Sequence, residues 1–297
     1  MHQATCSLWK PVGNSGRAVR EPKGGAETAA GPQTRNGHPM ELPAGRPAAA
    51  GIDIGARTTK AVALDGGGAV LARTLLPTGW DPKGAARKVL EEAVGALDGL
   101  PVTATGFGRD AVGFARSRLT EITCHALGVH HLDPSVRTVA DIGGQDSKVI
   151  RIDPFGNVLD FVMNDRCAAG TGKFLEFLAS TLGVGIEQFA RLSRGMRPAE
   201  ISSMCTVFAE TEVLDLVASG RSIGETVAGI HRAVARRLAA SMRQIGWEPP
   251  VAFTGGVALN EGVVGALSSL LATEVRVVPF PQFAGALGAA LHAAGRA

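Results

Sequence analysis

Short apolar runs separated by glycine-containing turns fill the chain from Ala48 onward. Three strands joined by tight turns are indicated by AAAGIDIG, TKAVALD and AVLARTLL. Over roughly residues 82–98 the apolar positions recur at helical spacing, which predicts a helix. PVTATGFG predicts a strand that runs into a loop, and residues 121–131 predict a second helix. The first part of the chain is therefore predicted to follow the order β-β-β-α-β-α.

The same pattern returns after residue 136. VRTVADIGGQDSKVIRID indicates strand, turn and strand, and GNVLDFVMND continues as a third strand. Asp53 and Asp141 occupy equivalent places in the two units, so the chain contains an internal repeat. Later helices are predicted at about 171–182, 207–218, 223–245, 260–272 and 283–296, with strands at VAFTGG and VRVVPF. The repeat predicts an α/β protein with two similar lobes, 48–136 and 137–282, and a C-terminal helix packing near the first lobe.

Residues 1–47 differ in composition from the rest of the chain. They contain six Pro and seven Gly and show no strand or helix periodicity. Such a segment cannot bury enough apolar area to offset its ordering entropy. We expect a disordered tail here, or an untranslated segment that precedes a start at Met40.

Charge excludes one class of function. Residues 1–47 hold six Lys and Arg against three Glu, so the rest of the chain carries 24 basic and 24 acidic residues. A neutral body lacks the basic surface that nucleic-acid binding requires. No apolar run reaches the ~18 residues needed to cross a bilayer, and the start does not resemble a secretory signal. We expect a cytoplasmic protein that binds neither nucleic acid nor a membrane.

Three glycine turns suggest phosphate binding. In a strand-Asp-x-Gly turn, glycine lets backbone N–H groups approach phosphate oxygens, and the Asp holds Mg²⁺ or its water. Such turns occur in GIDIGARTTK and DIGGQDSK, and FTGGVALN supplies a third glycine turn. One turn of this kind is equally well explained as a tight hairpin. Three in this order resemble the phosphate-1, phosphate-2 and adenosine motifs of the actin/Hsp70/sugar-kinase fold.

That resemblance implies ATP between two lobes and assigns positions in this sequence. Asp53 and Asp141 would flank the Mg²⁺ and the γ-phosphate. The phosphates would be cradled by Gly55, Thr58, Thr59 and Lys60 on one side and by Gly143, Gly144 and Gln145 on the other. The nucleoside would lie along Gly255, Gly256 and Asn260. Gln145 would also position the attacking water, by analogy with glutamines in other NTPases.

Two of the four cysteines, Cys167 and Cys205, stand just ahead of predicted helices. A thiolate or a cluster at that place is favoured by the helix macrodipole and by free N–H donors. Two ligands are two short of the four thiolates that a [4Fe–4S] cluster usually needs, and a twofold dimer would supply the others. Spacing alone also permits two small buried apolar residues, as most free cysteines are.

Longer motifs carry a more specific resemblance. They are MNDRCAAGTGKFLE, ISSMCTVFAETEV, ATGFGR, EITCHALG, DIGGQDSKVI, TGGVALNEGV and GALGAAL. Together they resemble the activator (component A) of 2-hydroxyacyl-CoA dehydratases, a family that includes the ATPase subunits of benzoyl-CoA reductases. The resemblance covers the chain except for its first 47 residues. It implies a homodimer, or a paired heterodimer, with one [4Fe–4S] cluster bridging the subunits at Cys167 and Cys205.

The resemblance also implies an activity. ATP with Mg²⁺ would change the closure of the lobes, ferredoxin or flavodoxin would supply single electrons, and the electrons would pass to a CoA-thioester dehydratase or reductase. Three alternatives stay open at this point. They are an ATPase subunit of a benzoyl-CoA-type reductase, a cluster-free small-molecule kinase of the same fold, and a nucleotide-dependent structural or chaperone protein.

Other cysteines and histidines are assigned no chemistry. Cys124 lies in a helix where the resembled family has no cluster ligand, so we expect it to pack, and Cys6 falls in the tail. His125, His130 and His131 are close in sequence, but residues 125 and 130 are poorly placed on one helical face. No carboxylate triad accompanies them. We expect surface or core histidines rather than a metal site.

Overall fold

A computed structural model describes residues 45–96, 99–202 and 205–296. Its first half contains β1 (Ala49–Ile54), β2 (Thr58–Leu64), β3 (Val70–Pro77), α1 (Pro82–Val94), β4 (Val102–Thr105), β5 (Ser117–Arg118) and α2 (Glu121–Leu132). The strands form a mixed sheet in the order β3-β2-β1-β4-β5. β1, β2 and β3 are antiparallel neighbours, whereas β4 and β5 run parallel to β1.

The second half repeats this plan. It contains β6 (Thr138–Ile142), β7 (Ser147–Ile152), β8 (Val158–Asn164), α3 (Gly172–Thr181), α4 (Phe189–Ser193), α5 (Thr206–Ala218), α6 (Ile223–Gln244), β9 (Val251–Thr254), α7 (Glu261–Leu271), β10 (Val275–Val277) and α8 (Ala284–Ala293). The sheet order is β10-β9-β6-β7-β8, with β6 to β8 antiparallel and β9 and β10 parallel to β6. The prediction of a two-lobed α/β fold is confirmed.

Local sequence signals explain where the helices begin and end. The Asp81 side chain accepts a hydrogen bond from the backbone N–H of Gly84 and caps α1, whose first residue is a proline. α1 ends at Val94 rather than near residue 98, because Gly95 adopts φ 74°, which a helix cannot continue through. Residues 97–98 lie outside the described part of the chain.

Each half of the chain contains one helix that packs against the sheet of the other half. α2 follows the first sheet in sequence, yet its Ile122 and Val129 belong to a core cluster with Val139 and Ile150 of the second sheet. α8 comes at the end of the chain, yet its apolar residues pack in a cluster with Val62 of the first sheet. α2 and α8 also pack against one another. The contact between α2 and α8 therefore links the two lobes.

Small residues make this contact possible. A Cβ atom at Gly288 of α8 would collide with the carbonyl oxygen of Cys124 in α2. A Cβ atom at Gly51 of β1 would collide with the backbone of Ala286. Cys124 itself is fully buried, and burial raises the pKa of its thiol to about 12. The Gly- and Ala-rich sequence of α8 is therefore explained by close backbone approach to two neighbours.

The predicted tail over residues 1–47 lies outside the described residues except for 45–47. Within the described ranges, no helix is both long enough and apolar enough to span a bilayer.

Candidate nucleotide cleft and cysteine helices

A cavity of about 640 Å³ is lined by residues from both lobes. Its walls include all three glycine turns: β1–β2, β6–β7 and the turn after β9. All but one of the predicted nucleotide residues line it, namely Asp53, Gly55, Thr58, Lys60, Asp141, Gly143, Gly144, Gln145, Gly255, Gly256 and Asn260. The volume suits a small-molecule ligand. The fold thus brings three motifs that are distant in sequence into one cleft.

The exception is Thr59, which lies outside the cavity lining. Side chains alternate along a strand, so Thr58 and Lys60 share one face of β2 and Thr59 takes the other. Thr59 is fully buried, and its hydroxyl is 3.0 Å from the hydroxyl of Thr78. Thr78 in turn donates to the carbonyl oxygen of Gly55 at 2.6 Å. The Thr59 and Thr78 hydroxyls therefore support the β1–β2 turn from its buried side.

In each lobe, an Asp–Lys pair joins the first two strands close to the hairpin turn. Asp53 of β1 lies opposite Lys60 of β2, and the Nζ to Oδ2 distance is 3.1 Å. Asp141 of β6 lies opposite Lys148 of β7, and the corresponding distance is 3.3 Å. Lys148 was not among the predicted site residues. The internal repeat contains a signal for Lys148, because Lys60 and Lys148 each follow the equivalent aspartate by seven positions.

Lys148 is the centre of a buried charge network. Its ammonium is 2.7 Å from Glu121, 2.8 Å from Asp146 and 3.3 Å from Asp141, and its side chain is 2% exposed. Burial alone would lower the pKa of Lys148, but these three carboxylates raise it above its usual range. Burial has the opposite effect on a carboxyl group: it raises the pKa of Glu121, and the positive charge of Lys148 opposes that rise. For Asp141, the charges and hydrogen bonds around it outweigh burial and lower its pKa.

The donor chemistry of this site fits a hard divalent cation. Within the described residues, no set of three His, Cys, Asp or Glu side chains is placed to hold a metal without other ligands, so a cation here would also take oxygens from phosphate and water. Mg²⁺ takes carboxylate and water oxygens and binds beside phosphates. Asp53 and Asp141 are the strand-end carboxylates that would hold such an ion or its waters.

His125 is a further cavity residue that sequence reasoning placed only in the core or on the surface. It is buried, lines the cavity and has its Nδ1 atom 3.6 Å from Asp141 Oδ1. Thr254 donates a hydrogen bond to the same carboxylate oxygen at 2.9 Å. Glu121 and His125 are four residues apart on α2, so they share one helical face. That spacing in EITCHALG is the signal that identifies the α2 contribution to the site.

Another part of the cavity wall is built around Asn260. Its Oδ1 accepts hydrogen bonds from the backbone N–H groups of Gly262 and Val263, which caps α7. Its Nδ2 therefore faces His231 Nε2 at 3.1 Å and donates to it. His231 must then carry its proton on Nδ1, which lies 3.1 Å from Ser193 Oγ. This network assigns the tautomer of His231 and holds the cavity wall near the proposed nucleoside.

Replacing His231 should flatten the pH dependence of stability. Burial lowers the pKa of His231 to about 4 from an ordinary 6.5, so only the unfolded chain binds a proton between those values. This contribution is present above pH 6.5 and is lost as pH falls toward 4. We expect the free energy of unfolding to drop by roughly 2 kcal/mol between pH 7 and pH 5 from this residue.

Urea unfolding at both pH values measures this effect. The drop should shrink by that amount in His231→Gln and should persist in His131→Gln, which alters an exposed histidine on α2. An unchanged pH dependence in His231→Gln would contradict the assigned neutral state.

Cys167 and Cys205 lie outside the cavity, each ahead of a helix. Cys205 is the N-cap residue of α5 and is exposed. Cys167 is half-buried and stands five residues before α3, and its carbonyl oxygen accepts a hydrogen bond from Asn164. Thiolates in partly exposed positions near helix starts are suitable ligands for an iron–sulfur cluster. The donor chemistry of the two residues therefore fits that group.

Comparisons with known proteins agree with these features. The model of the BadF/BadG/BcrA/BcrD ATPase family matches residues 50–293. The (R)-2-hydroxyglutaryl-CoA dehydratase activating ATPase of Acidaminococcus fermentans is 43% identical over 249 residues, which cover 82% of this chain and 95% of that protein. A benzoyl-CoA reductase subunit of Thauera aromatica is 37% identical over 216 residues, which cover 70% and 76% respectively.

A solved structure is similar over nearly the same length. The activator of the 2-hydroxyisocaproyl-CoA dehydratase from Clostridium difficile, with bound ADPNP, matches with a TM-score of 0.79 and 40% identity. The match covers 83% of this chain and 94% of that one. These findings confirm the resemblance that the motifs indicate. The chain belongs to the BadF/BadG/BcrA/BcrD ATPase family.

Proposed function

We propose that this chain is an ATP-dependent activator that transfers single low-potential electrons to a CoA-thioester dehydratase. ATP and Mg²⁺ bind in the cleft, and Cys167 and Cys205 of two identical chains hold one [4Fe–4S] cluster. Ferredoxin or flavodoxin is the electron donor. The relatives support a dehydratase as the partner enzyme, since the Acidaminococcus and Clostridium proteins are dehydratase activators.

The observation that carries the proposal is the hydrogen bonding between the second phosphate turn and the start of α3. The N–H of Gly172 donates to the carbonyl oxygen of Gly143 at 2.9 Å, and the N–H of Lys173 donates to that of Gly144 at 2.8 Å. Both N–H groups belong to the first turn of a helix, which has no intrahelical partners for them. A displacement of this turn by phosphates is therefore passed to the helix that follows Cys167.

Different residues of the chain have different roles in the proposed hydrolysis of ATP. Asp53 and Asp141 would hold the Mg²⁺, Lys60 and Lys148 would compensate the charge of these two carboxylates, and Gln145 on the second turn would position the attacking water. Differential contacts of ATP and its products with the two phosphate turns then favour different lobe closures. A [4Fe–4S] cluster, when bound, supplies a low-potential one-electron carrier whose potential depends on hydrogen bonds and solvent exposure.

Exposed apolar residues beside Cys205 support a dimer. Val207 and Phe208, in the first turn of α5, are 67% and 68% exposed. Phe177 of α3 is 39% exposed. Apolar side chains exposed together mark an interaction surface, and a twofold axis would present this one twice. The same contact would bring the cysteines of two chains together.

An ATPase component of a benzoyl-CoA-type reductase is the second candidate, because one of the relatives is a subunit of such an enzyme. The dehydratase activator matches more of this chain and more of its own length, which favours the first candidate. A nonidentical mate that copurifies with this chain would move the assignment to the reductase.

Iron extraction tests the coupling between nucleotide and cysteines. With anaerobically purified protein, we expect ADPNP with Mg²⁺ to increase several-fold the rate at which a chelator such as bathophenanthroline removes iron. Gly172→Ala should reduce this effect, because the new Cβ would lie 3.1 Å from the Gly143 carbonyl oxygen and strain the hydrogen bond between Gly172 and Gly143. Gly265→Ala is the matched control, since a Cβ there meets nothing within 4 Å. Equal extraction rates with and without nucleotide would contradict the coupling.

A further inference from the structure

Three cationic side chains line the cavity: Arg57, Lys60 and Lys148. The two ammonium groups are committed to buried carboxylates, and their side chains are only 14% and 2% exposed. Arg57 differs, because its side chain is 52% exposed and it pairs with Glu176 at 2.6 Å. Moving either lysine would leave a buried carboxylate uncompensated, which is costly. Of these three cations, Arg57 is the one that can change partners at little cost.

Arg57 reaches from the first lobe to the second. It lies in the β1–β2 turn, where its carbonyl oxygen accepts a hydrogen bond from the N–H of Thr78 at 3.0 Å. Its aliphatic stem packs on Gly144 of the second phosphate turn, where a Cβ atom would collide with it. Its guanidinium then meets Glu176, in the second turn of α3. The pair therefore ties the first phosphate turn to the helix that follows Cys167.

We infer that Arg57 exchanges the Glu176 carboxylate for the terminal phosphate of ATP, so that α3 is released from the first lobe only when ATP is bound. A guanidinium binds phosphate through paired hydrogen bonds, and the terminal phosphate carries more charge than one carboxylate. The half-exposed Glu176 loses little on release, since water replaces its partner. ADP lacks this phosphate and leaves the pair intact. The inference rests on the proposed nucleotide cleft and adds the residue that distinguishes ATP from ADP.

Calorimetric titration of the full chain with Mg²⁺–ADPNP and Mg²⁺–ADP tests the exchange. Arg57→Gln should weaken ADPNP binding by roughly tenfold or more and should change ADP binding little. Glu176→Gln should tighten ADPNP binding by roughly two- to fivefold, because the competing carboxylate is gone. In the Arg57→Gln background, Glu176→Gln should have no further effect.

Glu200→Gln provides the matched control. Glu200 pairs with Arg236 at 2.8 Å on the surface of the second lobe, outside the cavity, so both affinities should stay unchanged. Weaker ADPNP binding in Glu176→Gln, equal losses for ADP and ADPNP in Arg57→Gln, or additive effects in the double variant would each overturn the exchange. None of these measurements needs iron, and comparing all variants in the same cluster state keeps any effect of the cluster on nucleotide affinity constant. Failure of both nucleotides to bind the unaltered chain would overturn this inference and the proposed ATP site together.

Discussion

Replacing Cys167 or Cys205 by alanine is expected to give colourless protein with little iron. Each chain offers two cysteines near helix starts, and a four-cysteine cluster built from two chains would lose two ligands when one position is changed. The loss should therefore be nearly complete for either single variant. Iron analysis and the visible spectrum after anaerobic purification measure it.

Cys124→Ala is the matched control for this experiment. Cys124 is fully buried where α2 crosses α8, and its raised pKa keeps it a thiol. This variant should retain the colour and iron of the unaltered protein. A full complement of iron in both Cys167→Ala and Cys205→Ala would show that the cluster ligands are elsewhere.

Replacing Asp141 or Asp53 by asparagine is expected to lower ATP turnover by a factor on the order of 10² or more. Asparagine keeps the shape of the side chain but removes the charge that would hold Mg²⁺ beside the phosphates. Asp141 is additionally surrounded by Lys148, His125 and Thr254, so its loss also leaves the buried ammonium with one partner fewer. Steady-state hydrolysis under saturating ATP measures the effect.

Asp160→Asn controls for a general effect of removing a carboxylate. Asp160 is exposed on β8 and does not line the cavity, so turnover should be unchanged. Thermal unfolding of each variant separates lost chemistry from lost fold. Near-normal hydrolysis in both Asp53→Asn and Asp141→Asn would count decisively against the nucleotide site.

The sheets and the three turns were predictable because each depends on local signals. A strand that ends in Asp-x-Gly, followed by a polar turn and a second strand, occurs at Asp53 and again at Asp141. Equivalent sequence produces equivalent hairpins, and the two sheets share one strand order. The burial of Thr59 is also predictable, since alternation along a strand places its side chain on the face opposite to those of Thr58 and Lys60.

Contacts between distant elements were not predictable in the same way. Lys148 and Glu121 are 27 positions apart, and their ion pair exists only because α2 packs against the second sheet. An apolar helix face shows that a helix is buried, but it does not show which sheet covers it. The sequence order placed α2 with the first lobe, whereas its core contacts include the second.

A cysteine site shared by two chains cannot be predicted from contacts within one chain. A cluster held by two chains requires no contact between Cys167 and Cys205 within either chain. Cys167 precedes α3 and Cys205 is the N-cap residue of α5, and the exposed apolar residues of α5 suggest a surface that a second chain covers. The number of chains per cluster is therefore the central question.

Anaerobic native mass measurement combined with iron analysis answers this question most directly. A bridging cluster predicts a dimer that carries about four irons per two chains, because two cysteines per chain must be shared to reach four thiolates. It also predicts that destroying the cluster lets the two chains separate more readily. An isolated monomer with four irons would require two further ligands from the same chain and would contradict the bridging site.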